Sequence, residues 1–210
     1  MDALDKLAEM FKEFPGIGER QAKRFVYFLM WKNKNYTEDL SKLILDLKNE
    51  INQCKECFKL FSVNQKTDFL NKIKICEICN DSSIDTSMLM IIEKDSDLES
   101  VRKSHTYNGK YFVLGGLVPI VEKNTNNRIR LGELSEKIKR EANSGLKEII
   151  LAFSLSPQGD HTDFYIRNQL KNITEPLKIK ISSLGRGLST GTELEYSDNE
   201  TLKNAFKNRG

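Results

Sequence analysis

Cys54, Cys57, Cys76 and Cys79 are the only cysteines in the 210-residue sequence, and they form two Cys-x2-Cys pairs separated by residues 58–75. Each pair lets one tight turn present two thiolates to a single ion. Two such turns complete a tetrahedral shell of four sulfurs, which suits Zn2+. Four protein ligands leave no position for water, so the site expected here is structural, with one Zn2+ per chain. A redox role would use one such pair beside a βαβ unit, and disulfides belong to oxidising compartments. Phe58, Leu60, Phe61 and Val63 would cover a module too small for its own core. The two histidines, His105 and His161, are too few for a histidine-based catalytic or metal site.

A second group lies in Phe14-Pro15-Gly16-Ile17-Gly18-Glu19. Gly16 and Gly18 permit a tight turn whose N–H groups point outward at the positive end of the next helix, where a phosphate binds readily. Arg20, Lys23 and Arg24 follow at i, i+3 and i+4 and form one cationic face. The segment resembles a helix-hairpin-helix motif, which grips the DNA backbone without reading sequence. An ordinary helix–helix turn with a solvated basic face would use the same residues. The net charge of +3 is small, so any DNA site must be a local patch.

These groups need elements to hold them. At 39% hydrophobic and 30% charged, the chain can build a core and reads as soluble. No stretch approaches the ~20 apolar residues of a membrane span. Met1-Asp2-Ala3-Leu4-Asp5 is unlike a secretory signal, and a cytoplasmic location is the expectation. Leu4, Leu7, Ala8, Phe11 and Phe14 predict a helix ending at Pro15. A second helix, opening near Glu19, should bury Ala22, Phe25, Val26, Leu29 and Met30. A third should start after Thr37 as N-cap and carry Leu40, Leu43, Ile44, Leu47 and Ile51 on one face. Residues 1–52 thus read as an all-helical unit, 53–80 as a zinc finger, and 81–87 as a polar linker. Beyond it, strands at Met88–Ile92, Tyr111–Leu114, Glu148–Phe153 and Leu177–Ile181 alternate with helices around Leu134, Ile138 and Ala142 and around Ile166, Leu170 and Ile173. Gly145 would close the first of these helices. Strand–helix alternation predicts a mainly parallel sheet covered on both sides. A last short helix should open at Ser197 with Glu200 as its capping-box partner. The expected class is multidomain α+β, with an α/β domain at 81–182 and a C-terminal segment at 183–210.

The α/β segment opens on Met88-Leu-Met-Ile-Ile-Glu93, and a later strand runs into Ser154-Leu-Ser156-Pro-Gln158-Gly159-Asp160. This resembles the Toprim fold, in which a glutamate after the first strand and an Asp-x-Asp pair after a later one hold a divalent metal. Here Glu93 is present, while Ser154 and Ser156 stand where the aspartates would be. A neutral hydroxyl replaces an anionic oxygen ligand poorly around Mg2+, so the metal cage reads as dismantled. Helix-hairpin-helix, four-cysteine module and Toprim segment, in that order over essentially the whole chain, resemble the recombination mediator family RecR. Ser154 to Asp160 is similar to that family's Asn-Pro-Thr-x-Glu-Gly-Glu segment. Gly185-Arg-Gly187-Leu-Ser-Thr-Gly191-Thr192-Glu193-Leu-Glu195-Tyr is similar to its Gly-Gly-Glu-Leu-Glu signature, with Gln158, Asp160 and Thr192 as departures.

The resemblance implies a cytoplasmic, nucleoid-associated homo-oligomer, a dimer or tetramer, without enzymatic activity. It would bind DNA irrespective of sequence and act with RecO and RecF to load RecA onto single-strand gaps during repair. Gly16, Gly18, Arg20, Lys23 and Arg24 would contact DNA, and Glu93 and Asp160 a protein partner. Two other classes remain open. One is a Toprim nuclease or primase using Glu93, Asp95, Asp97, Asp160 and Asp163, acids that read as scattered on loops. The other is a protein–protein adaptor that never touches DNA.

Overall fold

The computed structural model describes residues 1–62, 74–120, 129–188 and 190–207, without the side chains of Lys48 and Glu200. Val63 therefore lies outside the described residues, as does the Glu200 half of the expected capping box. The chain divides into two compact units, Met1–Ile51 and Asn52–Gly210. Among the described residues no helix is long and apolar enough to cross a membrane.

The first unit is helical. Helix α1 (Ala3–Lys12) is capped by Asp2, whose carboxylate accepts from the Asp5 N–H at 2.8 Å. It ends three residues before the proline expected to stop it. Helix α2 (Glu19–Met30) buries Ala22 and Val26. Phe25 is half-buried against Phe11, but Met30 is 72% exposed and not part of the buried face. Helix α3 (Lys34–Glu50) starts earlier than the Thr37 cap predicts, because the Asn33 side chain accepts from the Tyr36 N–H at 2.9 Å. Thr37 sits inside the helix, its hydroxyl donating to the Lys34 carbonyl. Leu43, Ile44 and Leu47, expected on one face of this helix, are exposed. The unit keeps an apolar hollow of about 590 Å³, lined in part by Leu4, Leu7, Phe11, Leu29, Leu40 and Ile44.

A short pair, β1 (Ile51–Gln53), which opens on the last residue of the first unit, and β2 (Leu60–Ser62), precedes helix α4 (Glu77–Asn80) of the second. Then come β3 (Asp85–Ile92), α5 (Asp95–Ser104), β4 (Gly109–Val113), α6 (Leu131–Ala142), β5 (Glu148–Ala152), α7 (Pro157–Thr174) and β6 (Lys180–Ser183). The four-stranded sheet runs β4-β3-β5-β6 with every pairing parallel. Both faces are covered, so the strands read as apolar runs. Leu89, Ile91, Phe112, Ile149 and Leu151 pack against Leu134 and Ile138 of α6 and Ile166 and Leu170 of α7. Met90, Ile92, Tyr111 and Val113 face the other way, onto Leu98 of α5 and onto Cys54, Cys57 and Cys76. The cysteine segment and α5 together form the second cover of the sheet.

Strand β6 begins three residues later than expected. The Lys178 and Ile179 N–H groups still bond the Glu175 and Thr174 carbonyls, and Lys178 turns at φ 54°. Those residues finish α7 rather than start a strand. Gly145, at φ 95°, closes the turn after α6 as expected. Helix α8 (Asn199–Lys207) opens one residue beyond Ser197: Asp198 accepts from both the N–H and the hydroxyl of Thr201.

Candidate metal centre and nucleic-acid interface

Two knuckles bring the cysteines together. In the first, Cys54 donates its N–H to the Lys59 carbonyl at 2.8 Å, while its own carbonyl accepts from Phe58 at 2.9 Å. Phe58 takes a left-handed conformation, φ 62°, to close the turn. In the second, Cys76 is the N-cap of α4, and Cys79 follows within that single turn. The four Sγ atoms lie within 4.8 Å of one another, with Cys57 and Cys76 3.6 Å apart. A tetrahedron with metal–sulfur bonds of about 2.3 Å has edges of about 3.8 Å, so the sulfurs fit one ion. The Cys76 N–H also points at Cys54 Sγ, 3.4 Å away, as an outer hydrogen bond to a thiolate would. Hydrogen bonds from Cys57, Cys76 and Cys79 hold Cys54 far below the usual thiol range. The same contacts, Cys54 foremost, push Cys57 and Cys79 up. Four sulfurs this close, three of them buried, cannot all ionise by themselves; a cation lets them.

The knuckles are bonded to the α/β layer. The Val113 N–H at the sheet edge donates to the Cys57 carbonyl at 2.8 Å. The Leu60 N–H donates to Asp95 at 2.7 Å, and Phe58 packs edge-on against Phe112. Lys59 pairs with Glu77 and Glu99, and Glu56, between the first two cysteines, pairs with Lys137 and Arg140 of α6. Glu56 and Lys137 lie 81 positions apart, a separation no local pattern reveals.

The strand order reverses at β3, and open α/β sheets bind ligands beyond the carboxyl ends of strands at such a point. Glu93 follows β3 there, 4.0 Å from Lys94. Ser154 and Ser156 follow β5, their hydroxyls 3.0 Å apart. Ser156 is the N-cap of α7 and accepts from the Gly159 N–H. Glu93 lies in the bend after β3, but the other four acids are not on loops. Asp95 and Asp97 occupy the first turn of α5, and Asp160 and Asp163 lie in α7. Asp95 is taken by Leu60, Asp160 pairs with Arg186, and Asp163 pairs with Arg167 at 2.6 Å. Among the described residues, the cysteines are the only group of three or more Cys, His, Asp or Glu side chains whose ligand atoms converge. Arg186 was not singled out by the sequence, since its partner lies 26 positions away. Gly159 is needed for close approach: a Cβ there would meet the Ser154 carbonyl oxygen at 1.9 Å. Gly159→Ala is expected to cost about 2–3 kcal/mol through overpacking, read as a lowered melting temperature.

In the first unit Gly16 turns at φ 78°, and the Ile17 N–H donates to the Phe14 carbonyl at 3.0 Å. Gly18 is the N-cap of α2 and has no side chain with which to cap it. Arg20, Lys23 and Arg24 are all exposed on that helix. Lys23 is paired with Glu19 at 2.7 Å, which raises its pKa, and Arg24 reaches Gln21 at 3.3 Å.

A parallel sheet that reverses at β3, with an acid at that reversal and serines after β5, is a Toprim-type arrangement, and residues 87–183 match the Toprim domain family. The segment 187–209 matches the family described as RecR, C-terminal. The chain is 33% identical to the recombination protein RecR of Bacteroides fragilis, covering 98% of this chain and 92% of that protein. It is 31% identical to that of Chloroherpeton thalassium, covering 99% and 96%. It is 33% identical to that of Phytoplasma mali, covering 98% and 93%. The chain belongs to the RecR family of recombination proteins.

Proposed function

We propose that this protein is a non-enzymatic recombination mediator that binds DNA through the hairpin of its first unit and acts with RecO and RecF to load RecA onto single-strand gaps. The observation carrying the reading is the hairpin itself. It is an uncapped helix N-terminus after two glycines, beside three exposed cations at helical spacing. Anions bind such an end, and the cations hold successive phosphates. Gly16 and Gly18 supply the turn, and Arg20, Lys23 and Arg24 the charge.

The ion in the cysteine site is Zn2+, one per chain, because four thiolates in a closed tetrahedron select it over harder cations. Around it the chain works as four parts: the DNA-binding unit 1–52, the zinc finger 53–80, the Toprim domain 81–182 and the tail 183–210. The Toprim face, with Glu93 and Asp160, meets RecO. Serines at the metal positions and acids already engaged with Arg186 and Arg167 leave little to hold Mg2+ for catalysis. The protein self-associates as a dimer or tetramer, a reading supported by the exposed Leu43, Ile44 and Leu47. Its place of work is the cytoplasm, at the nucleoid.

Binding isotherms at several salt concentrations test the DNA site. Removing one phosphate-binding side chain should flatten the salt slope by about one unit, irrespective of DNA sequence. Arg20→Ala and Arg24→Ala should each show this in full. Lys23→Ala should show less, because Glu19 competes for that ammonium, and Glu19→Gln should tighten binding. Unchanged affinity and slope in all these variants would favour the adaptor reading.

A further inference from the structure

The sequence from Arg20 to Tyr36 holds five cations and no acid, and interleaves them with Phe25, Tyr27, Phe28, Trp31 and Tyr36. Helix α2 sorts these side chains. Ala22, Val26 and Leu29 turn into the first unit, where Val26 and Leu29 line the apolar hollow. Arg20, Lys23, Arg24, Tyr27, Phe28 and Trp31 recur at spacings of three and four and share the opposite face. That face begins with the cations beside the hairpin and ends on aromatic rings about 17 Å further along the helix axis. The rings are offered to solvent. Tyr27 and Phe28 are half exposed, and Trp31, the only tryptophan in the protein, is 90% exposed. Lys32 lies over the Phe28 ring at 4.6 Å and the Tyr36 ring at 5.4 Å, and Phe28 meets Tyr36 edge-on. The apolar hollow is a different surface, lined by no lysine or arginine.

We propose that the aromatic end of this face is a base-stacking platform for single-stranded nucleic acid. The phosphates of the bound strand continue onto Arg24, Arg20 and the hairpin. The inference rests on the DNA-binding reading above and adds the class of nucleic acid preferred. A duplex offers its phosphates but keeps its bases stacked inside; an unpaired strand offers both. Lys23 is paired with Glu19 and Lys34 with Glu38, but exposed rings beside Arg20, Arg24 and Lys32 still match a ligand that is a polyanion with π-faces. Stacking is also indifferent to base identity, because every base has such a face.

Trp31 reports on the site directly. Its fluorescence is followed in the intact protein during titration with a thymidine oligonucleotide, an abasic strand of equal length and a blunt duplex. The thymidine strand should change the emission and bind more tightly than the abasic strand, and the duplex should leave the emission nearly unchanged. Trp31→Ala should weaken thymidine-strand binding roughly 5- to 150-fold, the range for removing one stacked base. The salt slope should stay the same, and Trp31→Phe should restore most of the affinity. A flattened slope in Arg20→Ala belongs to the phosphate site, so the two readings fail separately. Equal binding of abasic and thymidine strands by the unaltered protein overturns the platform whatever the variants do. So does a Trp31 emission that shifts with protein concentration alone, which would make the face a contact between copies of the chain. Absence of binding to every probe overturns the platform and the DNA-binding reading together.

Discussion

Replacing Cys57 or Cys76 with serine is expected to strip the metal from the purified protein and to melt the second unit. Structural Zn2+ sites of this kind contribute about 10–16 kcal/mol of apparent binding free energy. A whole domain is stable by only about 5–15 kcal/mol, so losing one of four thiolates is enough to decide the fold. The effect should not stay local. Cys54, Cys57 and Cys76 share a buried cluster with Met90, Ile92, Leu98, Tyr111 and Val113 of the sheet and α5. The Cys57 carbonyl also takes the Val113 N–H on the edge strand. Helix α1 and the hairpin belong to the other unit and should keep their helical signal. Elemental analysis beside circular dichroism checks both parts. Well-folded wild-type protein without zinc would remove the structural role assigned to the cysteines.

The second large effect is expected at Lys137 and Glu141, each only 4% exposed, on successive turns of α6. Lys137 meets Glu141 at 2.7 Å and Glu56 at 3.6 Å, while Glu141 also meets Lys110 at 3.2 Å. One oxygen of Glu141 is buried with no hydrogen-bond partner. Taking two charges out of water costs several kcal/mol each, and mutual attraction offsets this only while both remain. Lys137→Met alone, or Glu141→Leu alone, should therefore cost about 3 kcal/mol, because the buried charge left behind keeps only its longer contact, Lys110 at 3.2 Å or Glu56 at 3.6 Å. For a unit of this size that lowers the melting temperature by about 6–12 °C. The double variant should recover most of the loss, giving a coupling energy of about 2–3 kcal/mol in a double-mutant cycle. Additive single effects would mean that the two side chains act independently.

The elements that are legible in the sequence are those whose pattern is strong over a whole period. Met88–Ile92 and Glu148–Phe153 read as buried strands because both faces of the sheet are covered. The cysteine spacing points to one metal site because no other arrangement uses two such turns. Helix α5 escapes a reading of the sequence, since Asp95–Ser104 carries only Leu98 and Val101 as apolar contacts and is otherwise polar. Its acids look like loop residues for the same reason. The start of α3 differs from expectation because Asn33 and Thr37 are both acceptable caps, and the Asn33 carboxamide reaches the Tyr36 N–H first. Met30, Leu43, Ile44 and Leu47 fit a helical stripe, yet a three-helix unit has too little surface to cover them all. In the candidate site, the cationic residues are readable from spacing alone. The i, i+4 spacing of Glu19 and Lys23 also allows their pair, whereas Arg186 holds Asp160 only through chain folding over 26 positions.

The most direct measurement is the rate of RecA filament formation on gapped DNA covered by single-strand binding protein, with RecO and RecF present and Mg2+ in the buffer. Adding this protein should accelerate loading, and the strands should be recovered intact. The Arg20→Ala/Arg24→Ala variant should fold normally and lose most of that acceleration. An unchanged loading rate with the intact protein, or cleavage of the DNA that requires Mg2+ and disappears in Glu93→Ala, would contradict the non-enzymatic mediator reading.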